Sequence, residues 1–175
     1  IAETKGDIAQ QTDEARGGFG LNGAGFKIGV LSDSYNSKVG SPATQDVQNR
    51  DLPGAGNANY ATPVDVILEY PYGEATDEGR GMLQIIHDVA PGAELAFRTG
   101  FISAGDFAQG IQELVVAGCD IIVDDISFIT EPFFQDGVVA QAVNSAANQG
   151  KLYFSAAGNF GSKSHTSVFT PLAGN

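Results

Sequence analysis

The stretch Asp77-Glu78-Gly79-Arg80-Gly81-Met82-Leu83-Gln84-Ile85-Ile86-His87-Asp88-Val89-Ala90-Pro91-Gly92-Ala93-Glu94-Leu95 decides the fold. It opens on an acid, sets Met82, Ile85, Ile86 and Val89 on one stripe at helical spacing, and closes on Ala90-Pro91-Gly92. An apolar run, Glu94–Thr99, follows at once. A helix over Glu78–Val89 that feeds a strand is the alternation from which α/β folds are assembled.

The same alternation continues on both sides. Short, unbroken apolar runs at Lys27–Ser32 and residues 64–69, 94–99, 120–124 and 152–157 have the pattern of strands buried on both faces of a parallel sheet. Two further helical patterns lie between the later runs. The one at 103–117 opens on Ser103 and Asp106, a capping box with a shorter acid than usual; the one at 136–149 has Asp136 as cap and Gly150 as terminator. The order β-loop-β-α-β-α-β-α-β predicts an α/β fold: a doubly wound, mainly parallel sheet with helices on both faces in three layers, α/β/α.

Residues 1–25 are expected to be a peripheral lead-in, with a helix around 8–16 and a glycine-rich turn at 17–25. Residues 26–175 form the domain proper. Within it, the connection 34–63 is rich in Ser, Gly, Asn, Asp and Pro and carries no predicted element, a length that marks functional or mobile loops. Gly18-Phe19-Gly20-Leu21-Asn22-Gly23 has the spacing of a dinucleotide fingerprint but precedes the first strand. Phosphate binding needs it after that strand, so a surface turn is expected instead.

Composition narrows the function classes. The 175 residues and their 42% hydrophobic content suit one domain with one sizeable core. Nine basic residues against 21 acidic ones give a formal charge of −12, which repels nucleic acid and anionic membranes, so neither is an expected partner. No run approaches the roughly 18 apolar residues of a membrane span. Cys119 is alone in an apolar run and reads as a small buried side chain rather than a reactive thiol. The first residue is not methionine, which favours excision from a longer protein.

In an open parallel sheet, ligands bind beyond the carboxyl ends of the strands. Here those ends are polar: Asp33 closes the first run, Glu78 begins the helix after the second, Asp124 and Asp125 close the fourth, and Asn159 follows the fifth in Ser155-Ala156-Ala157-Gly158-Asn159. Singly, each has a plain structural reading as a turn or helix-start residue. Together they predict a site on one edge.

These segments resemble the subtilisin-like serine peptidases, the subtilases, from about residue 20 to about 162. Lys27-Ile28-Gly29-Val30-Leu31-Ser32-Asp33-Ser34 resembles the family strand that ends in the catalytic aspartate, and Glu78-Gly79-Arg80-Gly81-Met82 resembles H-G-T-H-V with its first histidine replaced. Asp88-Val89-Ala90-Pro91-Gly92-Ala93-Glu94-Leu95 is similar to G-V-A-P-x-A-x-L. Asp120-Ile121-Ile122-Val123-Asp124-Asp125-Ile126-Ser127 is similar to the cleft strand D-V-I-N-M-S-L-G, and Leu152–Asn159 to V-V-V-A-A-G-N, whose asparagine donates into the oxyanion hole. The resemblance implies a serine endopeptidase, secreted or at the cell surface, acting on protein or peptide substrates. Asp33 and Glu78 would be its acid-base pair, Asn159 its oxyanion donor, and Asp125 and Ser127 would line the substrate cleft.

Two departures shape the expectation. The nucleophile segment G-T-S-x-A-x-P is not among these residues, so the chain is expected to be the N-terminal portion of a catalytic domain, its sheet incomplete, and inactive alone. Apolar surface that the remainder covers would then promote self-association. The second departure is the base. His87 lies nine residues along the helix from Glu78, roughly 13 Å away at ~1.5 Å per residue, so it is a structural histidine, and His165 is in the terminal tail. A glutamate serves as base when its pKa is raised, and Asp33 is the neighbouring carboxylate expected to raise it. The sedolisins, relatives of the subtilases, use a Glu-Asp-Ser arrangement in acid, but their acid partner four residues along the helix is Met82 here.

The alternative is a non-catalytic module that keeps the fold and holds a partner segment or a cation at its acidic edge. No cofactor is required by either reading and no metal-ligand set is predicted, but Asp33, Glu78, Asp124 and Asp125 could offer hard oxygen ligands to calcium. A lobe of a periplasmic-type binding protein, also doubly wound, would not account for the order of the motifs.

Overall fold

The computed structural model of the chain describes residues 4–40, 42–163 and 166–168. Five parallel strands, β1 (Lys27–Ser32), β2 (Asp65–Leu68), β3 (Glu94–Thr99), β4 (Ile121–Asp124) and β5 (Leu152–Ser155), form one sheet in the order β2-β3-β1-β4-β5. The helices are α1 (Gly6–Gln10), α2 (Thr12–Phe19), α3 (Ala43–Asn49), α4 (Glu78–Val89), α5 (Ala104–Val116) and α6 (Val138–Asn148). The fold is the expected α/β, with helices on both faces of an all-parallel sheet.

The period of two along each strand splits the core. Ile28, Val30, Leu95 and Phe97 face α4 and the α3 segment, where Leu83, Ala43 and Leu52 meet them. Leu31, Ala96 and Ile122 face α5 and α6 and meet Phe107, Ile111, Leu114, Ala142 and Ala146. Burial is complete only in the middle of the sheet. Val30, Leu31, Ala96, Phe97 and Ile122 are fully enclosed, whereas the edge strands β2 and β5 leave Val66, Leu152 and Phe154 exposed. The unbroken apolar runs predict burial on both faces for all five, which holds only for the central strands.

The steps β2 to β3, β3 to β4 and β4 to β5 all move the same way across the sheet, yet α4 lies on one face and α5 and α6 on the other. The β2–α4–β3 unit therefore has the opposite hand to the two units that follow, although parallel crossovers almost always share one hand. This places α4 on the same face as the β1–β2 connection and lets the two pack together.

Several local expectations change. The 34–63 connection contains α3, whose amphipathic signal is only Ala43 and Val47. The lead-in holds two helices rather than one, and α2 runs through Gly17 and Gly18. It is tied to the far end of α4: Arg16 donates to the carbonyls of Asp88 (2.8 Å) and Val89 (3.2 Å), capping the last turn. Ser103 caps α5 as expected, accepting from Asp106 N–H at 3.2 Å. Asp136 does not cap α6. Glu131 reaches over from the preceding loop to accept from Val139 N–H (3.2 Å), while the Asp136 carboxylate takes Asn144 (2.9 Å).

His87 is buried in α4, edge-on to Tyr60, with Nε2 3.3 Å from the Asn57 amide and Nδ1 without a hydrogen-bond partner among the described residues. Burial lowers its pKa and keeps it neutral. It is structural, as expected, though only half satisfied; His165 lies outside the described residues. Cys119 is buried, its thiol pushed up to about 11 by desolvation.

The close approach of α4 to the sheet depends on Gly79. A Cβ there would collide with the Phe97 ring and stand 2.9 Å from both the Ser32 Cβ and the Ser34 carbonyl oxygen. Gly81, two residues on, has open space around it. Gly79→Ala is expected to cost about 1–3 kcal/mol as an overpacked contact, while Gly81→Ala gains up to about 1 kcal/mol of helix propensity. Urea denaturation of the two variants checks this, and equal effects would refute the packing role of Gly79.

Candidate active site

The cleft begins where β1 ends. The Asp33 carboxylate is buried and accepts four hydrogen bonds: Oδ1 from Ser34 N–H (2.5 Å) and Glu78 N–H (2.9 Å), Oδ2 from Thr76 N–H and Thr76 Oγ1 (both 2.6 Å). Its position at the start of α4 adds the favourable end of the helix dipole. Burial alone would raise its pKa, but these bonds outweigh burial and hold the carboxyl below its ordinary value. Asp33 is thus an ionised anchor with its lone pairs in use. Asp33, expected to be the carboxylate neighbour of Glu78, grips the Glu78 main chain, and its charge is held by donors that do not dissociate.

Asp77, the acid directly before α4 and not among the predicted site residues, performs the same service one residue earlier. It sits in the left-handed region (φ 58°), a conformation that costs a non-glycine residue energy. Its carboxylate accepts from Ser34 Oγ (2.8 Å), Ser37 N–H (2.8 Å), Ser37 Oγ (2.9 Å) and Lys38 N–H (3.2 Å), and pairs with Arg80 at 2.9 Å. Again burial opposes and the hydrogen bonds prevail, so its pKa is lowered. The signal available in sequence was a second acid, directly before the helix.

These anchors leave the Glu78 side chain exposed on a cleft of about 510 Å³. Asp33, Glu78, Asp125, Ser127 and Asn159 all line it, joined by Thr76, Phe101 and Phe160. The five residues predicted as a site are therefore brought together at the carboxyl ends of the strands, the placement that open parallel sheets favour for ligands. Asn159 follows Gly158, whose φ of 72° suits glycine. A Cβ at Gly158 would stand 2.7 Å from the Phe160 ring and 3.0 Å from Ser127 Oγ, so the loop bearing Asn159 packs on the segment after β4.

Asp124 and Asp125 part company. Asp124 pairs in register with Leu31 and Ser155, is buried, and accepts from Ser155 Oγ at 3.0 Å; it does not line the cleft. Burial raises its pKa. Asp125 accepts from Ser32 Oγ (2.9 Å) through Oδ2, while its buried Oδ1 has no hydrogen-bond partner among the described residues. Desolvation first, then the charges of Glu78 and Asp33, push its pKa up to about 6 against the donation from Ser32. Its surroundings favour a proton near neutrality.

The calcium alternative loses its four-ligand set, because Asp124 lies apart and the Asp33 oxygens are engaged. Among the described residues no group of three or more His, Cys, Asp or Glu side chains is arranged to hold a metal ion. No helix among them is long and apolar enough to cross a membrane.

Asp33 and Asp125 have opposite linkage to pH. Asp33, with its lowered pKa, contributes stability above the unfolded value of about 3.9 that is lost as the pH falls below it. Asp125, raised to about 6, holds a proton that the unfolded chain has released, so its contribution is complete below about 3.9 and lost as the pH rises through 6. Asp33→Asn is expected to destabilise the fold by about 2–4 kcal/mol at pH 7, with the loss shrinking towards pH 3. Asp125→Asn is expected to stabilise it by about 1–2 kcal/mol at pH 7.5, allowing for solvent screening of a half-exposed group, and to change little at pH 4. Denaturation curves at the two pH values decide; pH-independent effects would contradict both assignments. No family model matches this chain and no curated protein matches it, so the roles of these residues rest on the cleft itself.

Proposed function

We propose that the chain forms part of the active site of a subtilase-like serine endopeptidase, with its nucleophile supplied by a serine outside these residues. The observation that carries this reading is the convergence of Asp33, Glu78, Asp125, Ser127 and Asn159 on one cleft. They come from the ends of three strands and from the start of α4, Asp125 and Ser127 sharing the segment after β4, in the order of the family motifs. Glu78 is the general base. It takes the hydroxyl proton during attack and returns it to the leaving amine, the task an imidazole performs in the usual triad. Asp33 positions it by holding the first N–H of α4. The Asn159 amide donates to the developing oxyanion, and Ser127 with Asp125 borders the substrate backbone.

Substrates are proteins or peptides, and the family reading places the protein outside the cell or at its surface. No cofactor is needed for this chemistry. The 175-residue chain alone is inactive, since a base and an oxyanion donor without an attacking atom do not cleave an amide. In the nucleophile-bearing protein, Glu78→Gln is expected to lower kcat/KM for a peptide substrate by about 10²–10⁴-fold, and Asn159→Ala by about 10²–10³-fold. Full activity of the Glu78→Gln protein at pH 8–9 would sink the mechanism.

The sheet edge at β5 supports a companion proposal. Leu152 and Phe154 are each 57% exposed on the sheet face that α4 leaves uncovered, and among the described residues β5 is paired on one side only. Such an edge templates further pairing, and the isolated chain is proposed to self-associate there. Size-exclusion at rising concentration is expected to show larger species, which Phe154→Lys reduces; a strictly monomeric profile at high concentration overturns it.

A further inference from the structure

We propose that Asp125 is the proton-holding partner of Glu78, the part that the sequence assigns to Asp33. This deepens the peptidase reading and rests on it only for what the pair accomplishes. Three observations carry it. Asp33 is disqualified by saturation, since four donors fill its two oxygens and each of them stabilises the ionised form. Asp125 is qualified by the reverse: Ser32 Oγ occupies Oδ2 from below, and Oδ1 is buried with no donor, an acceptor whose desolvation is relieved when it carries a hydrogen. Glu78 and Asp125 line the same cleft, and the Glu78 charge bears on Asp125 in the direction that favours a proton there.

The charged and titratable groups around Asp125 support one proton for the pair. On its own segment Asp124 turns to the opposite face, at the end of β1 stands the ionised Asp33, and on α4 stands Glu78. The remaining charged and titratable residues bordering the cleft are Tyr70, Glu74 and Lys163. Negative groups dominate, which favours protonation of whichever carboxyl is least hydrated. Glu78 is open to water and Asp125 is only partly so. The neutral Asp125 O–H leaves Glu78 ionised and able to accept a proton, so the pair carries one negative charge in the working state. Loss of the Asp125 proton puts a second charge beside Glu78. Asp125 acts through Glu78 and is a positioning residue, not a group that touches the scissile bond.

The test is a carboxyl-carbon NMR titration of this chain, which needs no nucleophile. In the wild-type protein the Asp125 carboxyl is expected to titrate near 6 and the Glu78 resonance to show an inflection at that same pH. In Glu78→Gln the Asp125 midpoint is expected to fall by half a pH unit or more, and in Asp125→Asn the Glu78 inflection near 6 disappears. An Asp125 midpoint that is unmoved by Glu78→Gln, or a Glu78 resonance without an inflection at the Asp125 midpoint, overturns the pairing. If a variant fails to fold, the wild-type inflection decides alone. Failure of the peptidase reading is separate: a coupled titration here with no cleavage by the nucleophile-bearing protein would remove the function and keep the pair.

Discussion

The Asp33 carboxylate joins the end of the central strand to the start of the helix that carries Glu78, and most of the site's geometry follows from that junction. Its four donors come from three successive parts of the chain, and two of those parts lie more than forty residues away. Hydrogen bonds to a charged acceptor contribute roughly twice as much as neutral ones, so the junction outweighs the cost of burying one charge. The left-handed turn at Asp77 and the absence of a side chain at Gly79 belong to the same construction. The first brings the chain into the helix at the needed angle; the second lets the helix settle onto Phe97 and Ser32.

Two buried arginines extend this junction into the two halves of the core. Arg80 pairs with Asp77 and, at 3.0 Å, with Asp46 of α3, and donates to the Tyr35 carbonyl at 2.8 Å, tying the long β1–β2 connection to α4. On the other face Arg98 of β3 reaches Asp106 and Glu113, two residues of α5, and packs along Gly110. Buried pairs of this kind add little net stability over an apolar substitute, but removing one partner leaves an uncompensated charge worth about 3–5 kcal/mol. Their effect is to fix how each helix sits on the sheet. That in turn fixes where the strand ends open.

Much of this was legible in sequence where the signal is local. β1, β3 and α4 follow their predicted bounds because apolar runs and a Pro-Gly stop act within a few residues. The α3 helix was not legible: Ala43–Asn49 offers two apolar side chains and is held by Arg80 and by Asn36 Oδ1 accepting from Ala43 N–H. The cap of α6 failed for the same reason, since Glu131 wins the position through space. At the site, the pleat distinguishes Asp124 from Asp125, adjacent acids that sequence treats alike. Which acid stays charged was hidden too, because the donors on Asp33 arrive from Thr76 and Glu78, far along the chain.

The consequence for the cleft is an ordering of its carboxyls by what surrounds each. Asp33 is buried yet ionised, because fixed N–H and O–H donors replace the water it loses. Glu78 keeps water and therefore needs no such donors. Asp125 keeps only part of its water and has the Ser32 hydroxyl and its own backbone N–H as donors, and it faces the charges of the other two. With Asp33 locked as an anion, burial and the neighbouring charges favour a proton on the less solvated Asp125 over the exposed Glu78. Glu78 then holds the available lone pair at the mouth of the cleft. On the proposed reading, a carboxylate base here needs both the solvated Glu78 side chain and the unsatisfied Asp125 oxygen in the same cleft.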